Sequence, residues 1–305
     1  MHINYNMNNN LFFSLLCVLL VAGCSTEGRR LKTTSGYEYQ VVRKGASKDS
    51  IPVDNYLFFN MSLTEKDSVL RSSASTGKPS VLKVTKDTKN FGQLKSLVDL
   101  MNTLHEGDSM LFFFPLDSFE RKPPGFEKFT EPLIYHVGIT KVMDETEFKA
   151  YSDSINQIQD KVRQVVRDRM PEVEAKAKAT WDAYKKGQLK DQIQTTSSGL
   201  KYIIHEPGAE GTKPAKGSQV SVHYYGMLDT DGKMFDSSFK AGQPYQFPVG
   251  VGQVIPGWDE GIMLLNKGAK ATLFIPAALA YGVAGSPPVI PANADLVFYV
   301  ELENK

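Results

Sequence analysis

The stretch VHYYGMLDTDGKMFDSS, Val222 to Ser238, decides the fold of this chain. Its first half belongs to an apolar run, Gln219 to Leu228, rich in β-branched and aromatic residues, which reads as a strand; Asp231-Gly232 is a turn signal that ends it. Working outward, similar short runs recur between Gly and Pro turns, with Leu200 to His205 before it and Ala294 to Leu302 after it. From Ser198 onward the pattern is therefore antiparallel β. One segment breaks the pattern. Between Trp258 and Asn266 the period is helical, with Trp258, Ile262 and Leu265 spaced for one buried face, Pro256-Gly257 as a start signal and Gly268 as a stop. The class expected is α+β.

Five blocks stand in order along this region: Val222 to Leu228, Asp231 to Ser238, Val254 to Gly261, Ala280 to Gly282 and Val289 to Leu302. Together they resemble the FKBP-type peptidyl-prolyl cis-trans isomerases, over about residues 198 to 305. The resemblance implies a twisted antiparallel sheet wrapped around one short helix, with a pocket between them. It places Tyr224, Phe235, Asp236, Trp258, Tyr281 and Phe298 as the catalytic set and Tyr245, Phe247, Val254, Ile255 and Val289 as the substrate-binding set. By the same resemblance Trp258 forms the floor and Tyr224, Phe235, Phe247 and Phe298 the walls. Val254 and Ile255 line the mouth, the Ile255 N–H and the Tyr281 hydroxyl donate to substrate carbonyls, and Asp236 supplies the one charge. A macrolide ligand is implied as well. Ser286 stands where the family often has His and Val289 where it often has Ile, departures that bear on loop selectivity and not on the pocket.

Those residue types suit the reaction. An X-Pro amide has partial double-bond character and a rotation barrier of about 18–20 kcal/mol. In the twisted transition state the amide loses resonance and becomes less dipolar, so an apolar aromatic slot holds it better than water does. No nucleophile, metal or cofactor is called for. Taken singly, Trp258 reads as a core residue and Asp236 as a turn residue; only the ordered blocks make them a site. His205 and His223 are assigned no role.

The two cysteines, Cys17 and Cys24, both precede residue 25, so the body of the chain holds no disulfide framework and no thiol nucleophile. Leu11 to Ala22 is apolar apart from Ser14 and too short to span a bilayer, which reads as the core of a signal peptide. Val21-Ala22-Gly23-Cys24 after it resembles a bacterial lipobox, so Cys24 is expected to carry the lipid that tethers the chain to a membrane. The n-region, Met1 to Asn10, departs from the usual pattern in having no Lys or Arg. Lys and Arg number 35 against 34 acidic residues and lie scattered, which argues against a nucleic-acid partner. The partners expected are unfolded or proline-containing exported polypeptides, isomerised or, alternatively, bound in a chaperone-like way with little turnover, in the bacterial envelope, at the outer membrane facing the periplasm.

A weak repeat relates residues 35–143 to 198–304. Ser35 to Gly45 parallels Ser198 to Gly208, Leu104 to Pro115 parallels Leu265 to Pro276, and Glu131 to Val137 parallels Ala294 to Val300. Aligned so, Tyr224, Phe235, Asp236, Trp258 and Tyr281 fall on Phe59, Leu70, Arg71, Leu97 and Glu120, so the earlier copy is expected to have lost the pocket. Residues 144–194 have helical composition. Phe148, Tyr151, Ile155, Ile158, Val162 and Val165 form a narrow apolar seam, Pro171 forces a break, and Val173, Ala177, Trp181 and Tyr184 line a second stretch. The seam over 148–165 either pairs with a second copy in a homodimer or packs within its own chain. The organisation expected is a signal peptide (1–23), a tether (24–34), a degenerate domain (35–143), a helical linker (144–194) and an isomerase domain (195–305).

Overall fold

The computed structural model describes residues 28–46, 51–66, 68–73, 77–116 and 127–304, which fall into two compact units, one up to Ser152 and one from Asp153. The signal-peptide and lipobox readings, with Cys24, lie outside the described residues. Among those residues no helix is long and apolar enough to cross a membrane.

In the first unit β1 (Leu31–Lys32), β2 (Glu38–Arg43), β3 (Tyr56–Glu65), β4 (Ser68–Ser72) and β5 (Ser80–Lys83) precede a short helix, α1 (Lys95–Met101). Strands β6 (Ser109–Phe114) and β7 (Leu133–Met143) follow it. The sheet runs β1-β2-β6-β7-β3-β4, with β5 beside β3, and every pair is antiparallel. Leu57, Phe59 and Leu63 of β3 close on Leu97 and Met101 of α1 to form its core.

Two helices come next, α2 (Glu145–Asp168) and α3 (Met170–Lys185). The second unit then adds β8 (Gln194–Thr195), β9 (Lys201–Glu206), β10 (Gln219–Leu228) and β11 (Met234–Ser237). A one-turn helix α4 (Ser238–Ala241), β12 (Tyr245–Pro248), α5 (Pro256–Leu264), β13 (Lys270–Ile275) and β14 (Leu296–Leu302) complete it. Its order is β8-β9-β13-β14-β10-β11, with β12 beside β10, again all antiparallel. Strand for strand this is the order of the first sheet, and α5 stands in the chain where α1 stands.

The second sheet is covered on both faces. Val220, Val222, Leu273, Phe298 and Val300 pack inward on Trp258 and Ile262 of α5. Tyr225, Met227, Phe274, Val297 and Tyr299 pack outward on Val173 and Ala177 of α3. All seven residues of β14 are therefore buried, and the alternation expected of a half-exposed strand is lost. Pro256 sits in the first turn of α5, where its missing N–H costs nothing.

The stretch expected to be a linker does more than connect. The break falls at Arg169, and Pro171 lies in the first turn of α3. The stripe Val173, Ala177, Trp181 and Tyr184 packs on the second sheet, so α3 is a layer of that unit. The seam over 148–165 is divided. Phe148 stacks on Tyr56 at 3.7 Å and Tyr151 meets Phe58 edge-on at 5.2 Å within the first unit. Ile158, Val162 and Val165 are 57–64% exposed.

Candidate functional site

The inner face of the second sheet holds a box of aromatic rings. Trp258, delivered by the first turn of α5, is 5% exposed and lies at its centre. Tyr224 and Phe298 meet it edge-on at 5.1 and 5.2 Å, and Phe247 is tilted against it at 5.6 Å. Phe235 stands edge-on to Phe298 at 5.4 Å, while Tyr245 stacks on Phe247 at 5.4 Å and carries the box out toward solvent. Val254 and Ile255, the residues before α5, pack against the same cluster. Edge-to-face geometry suits the ring quadrupoles.

One strand position makes room for the rings. A Cβ added to Gly226 meets Phe235 and Phe298 at 2.8 Å, so the two walls close over a glycine. A glycine inside a strand marks such a close approach.

Asp236 is the exposed carboxylate at the edge of the box. Its Oδ2 accepts from the Tyr224 hydroxyl at 2.5 Å and its Oδ1 from the Ser237 N–H at 2.8 Å. Two serines hold Tyr224 from behind. The Ser238 Oγ accepts from the Tyr224 N–H at 2.8 Å, and the Ser237 Oγ donates to the Tyr224 carbonyl at 3.1 Å. Burial, and then the bond to Asp236, push the Tyr224 phenol well above its ordinary range. Burial and the same carboxylate also raise Tyr281, which is 41% exposed at the rim. Both phenols are therefore neutral O–H donors at neutral pH. Asp259, in the first turn of α5, accepts from the N–H groups of Gly250 and Gly252 at 2.7 Å each and shapes the loop into the helix.

The structure thus packs or bonds together nine of the eleven expected pocket residues, and Tyr281 lies near enough to feel Asp236 and Tyr245. Val289 is the exception: it is 50% exposed, on the loop closed by the bridge between Ser286 and Ile290, outside the packed cluster. Sequence reading missed Gly226, Ser237, Ser238 and Asp259. The glycine within an aromatic strand and the Ser-Ser pair after Asp236 were the available signals; nothing local marks Asp259 as the anchor of the preceding loop.

The first unit has the same strands without the box. Strand β3 faces β4 with Leu63 opposite Arg71, where β10 faces β11 with Gly226 opposite Asp236. That register puts Met61, not Phe59, at the position of Tyr224, and Tyr135 at that of Phe298. Leu70 and Arg71 keep the places expected of them, at the positions of Phe235 and Asp236. Arg71 is exposed, and Leu63, 6% exposed, packs with Leu70, Leu97 and Tyr135. The serine contact survives, since the Ser73 Oγ accepts from the Met61 N–H at 2.9 Å. Glu120, aligned with Tyr281, lies outside the described residues.

Comparison with known proteins bears on the family of this chain. The pattern of a family described as FKBP-type peptidyl-prolyl cis-trans isomerase matches residues 210–303. FK506-binding protein 1 of Candida glabrata is 49% identical over 109 residues, covering 36% of this chain and 95% of the relative. The FKBP-type peptidyl-prolyl cis-trans isomerase FkpA of Aeromonas hydrophila is 47% identical over 137 residues, covering 42% of this chain and 49% of the relative, so the chain spans about half that protein's length. The crystal structure of AtFKBP13 overlays 37% of this chain and 98% of itself, at 38% identity and a TM-score of 0.35. The chain belongs to the FKBP-type peptidyl-prolyl cis-trans isomerases.

Proposed function

We propose that the aromatic box of the second unit isomerises X-Pro bonds in exported polypeptides, by holding the twisted amide in a slot drier than water. The observation that carries this is a floor, Trp258, walled by Tyr224, Phe235, Phe247 and Phe298, with a single carboxylate at its edge. The proline ring sits among these walls, Val254 and Ile255 line the mouth, and Tyr245 forms the outer rim. Tyr281, kept protonated, and the Ile255 N–H donate to substrate carbonyls. Asp236 acts through its charge and through its hold on Tyr224, not as a proton donor. A macrolide that mimics the twisted amide takes the same slot. That the C. glabrata relative is named for binding FK506 supports this.

The lipid on Cys24 places the reaction at the bacterial envelope, on the periplasmic side of the outer membrane, a reading supported by the lipobox-like sequence. The first unit is a degenerate copy that binds clients without turnover. Its exposed Val69, Val81, Phe91 and Leu94 favour this role. The exposed Ile158, Val162 and Val165 of α2 are the part of the 148–165 seam left for pairing with a second copy.

A protease-free isomerisation assay on an X-Pro peptide tests the catalytic reading. Phe235→Ala and Asp236→Ala should each lower turnover at least about tenfold, since each removes a group that touches the twisted amide. Variants as active as the parent chain overturn it.

A further inference from the structure

The segment that carries Asp236 has two sides. Its inner side is the pocket; its outer side is covered by α2 and α3, which lie outside the 210–303 stretch that matches the family. We propose that the corner between these helices, Arg169 and Met170, positions the Tyr224–Asp236 pair, so that the isomerase unit of this chain includes a helical layer in front of its family core. The inference rests on the pocket reading above.

A continuous line of contacts runs from the corner to the carboxylate. The Arg169 guanidinium lies 5.2 Å over one face of the fully buried Phe239 ring, and His223 stacks on Phe239 at 5.0 Å. The Phe239 N–H donates to the Ser237 Oγ at 3.2 Å, and the Ser237 N–H donates to the Asp236 Oδ1 at 2.8 Å. The Ser237 hydroxyl also lies 3.6 Å from the Met170 thioether sulfur. Fixing Phe239 therefore fixes the residue that orients Asp236.

Arg169 is itself held. Its Nη2 reaches both carboxylate oxygens of Glu301, at 2.7 and 2.9 Å, and the Tyr299 hydroxyl donates to Glu301 at 2.9 Å. Glu301 is 9% exposed, and a charge-assisted contact to a carboxylate in that setting holds its geometry better than a surface pair. The backbone of α2 also comes close. A Cβ on Gly242, the left-handed cap that ends α4 at φ +79, meets the Arg163 carbonyl oxygen at 2.8 Å. Only glycine satisfies both that φ and that approach, so the sequence after Asp236 is suited to a helix packed behind it. At the other end of the hairpin Trp181 of α3 donates to the carbonyl and side chain of Asp229 at 3.2 and 3.1 Å, so α3 grips both ends of the segment.

The test uses the full chain and separates kcat from KM. Arg169→Ala should lower kcat about fivefold and leave KM within about twofold, because a misplaced catalytic group weakens the transition state more than substrate binding. A second readout comes from fluorescence. The chain has two tryptophans, Trp181 and Trp258, so in a Trp181→Phe background the emission reports the pocket floor alone. Adding Arg169→Ala to that background should shift it. Unchanged kcat and unchanged Trp258 emission in a folded Arg169→Ala chain overturn the inference. Should that variant not fold, Arg169→Lys and Met170→Leu keep charge and volume in turn; each should lower kcat about twofold, and parental kcat in both overturns it. Asp236→Ala run alongside separates the two readings. If it is fully active the pocket reading fails and takes this one with it; if it is inactive while Arg169→Ala is parental, only the positioning role fails.

Discussion

Where the second sheet has Gly226, the first has Leu63, and that exchange goes with a different filling of the inner face. Both sheets have one strand order, a helix at the same point in the chain, and a serine hydroxyl accepting from the strand residue two positions before the exchanged one. In one, the glycine lets Phe235 and Phe298 close over the strand beside Trp258, the arrangement proposed above as the slot. In the other, Leu63 occupies that space and aliphatic Leu70 and Leu97 complete the filling. Strand order and hydrogen bonding specify the scaffold, whereas the slot depends on leaving one position empty and lining the rest with rings. On the reading proposed above, fold and activity are separable within one chain.

The sharpest way to break this comparison is to give the second sheet the first sheet's residue. Gly226→Leu should bring isomerase turnover down to the uncatalysed background, because a side chain there enters space that Phe235 and Phe298 already fill. The melting transition reports whether the unit stays folded. A folded Gly226→Leu chain with measurable turnover would show that the slot does not need the empty position.

The reverse change probes the filling of the first unit. Leu63→Ala should destabilise that unit by about 2–5 kcal/mol, the ordinary cost of a cavity at a buried leucine, read from a denaturant melt. It should add no turnover when made on top of Asp236→Ala, since neither a ring floor nor a carboxylate waits beneath Leu63. Appearance of turnover there would mean that the first unit retains a site.

How much of this was legible before the structure depends on which contacts are local. The strand, Asp-Gly turn and helix around Trp258 were readable because each rests on residues close in sequence, and α5 begins only two residues before the period predicts. The counterpart of Tyr224 was misplaced for a definite reason. Leu63 and Arg71 are eight residues apart, Gly226 and Asp236 ten, so the first hairpin is two residues shorter. Aligning through Arg71 without a gap slides β3 by two and offers Phe59 where the register has Met61. Because the slide is an even number of residues, every side chain stays on its own face and the pattern gives no warning. The stripe on α3 was also visible, yet a stripe names no partner. That it covers the outer face of the second sheet shows only in three dimensions, although seven consecutive buried residues in β14 are the imprint of a second covering layer.

The smallest expected effect separates scaffold from site most finely. Ser238 and Ser73 make the same contact in the two units, to the N–H of Tyr224 and of Met61. Replacing either by alanine leaves a strand N–H without that acceptor, and at Ser238, 3% exposed, water is poorly placed to substitute. The stability cost should be about 1–2 kcal/mol for Ser238→Ala and about 0.5–1 kcal/mol for the less buried Ser73→Ala. Turnover should respond to one only. Ser238→Ala frees the backbone of a residue whose hydroxyl is bonded to Asp236, so kcat should fall about two- to threefold with KM nearly constant. Ser73→Ala alters the same hydrogen bond in a unit whose slot is filled, so kcat should not move. Equal effects on turnover would mean that the serine contact reaches activity through general stability; the predicted asymmetry would locate its catalytic value in what Tyr224 holds.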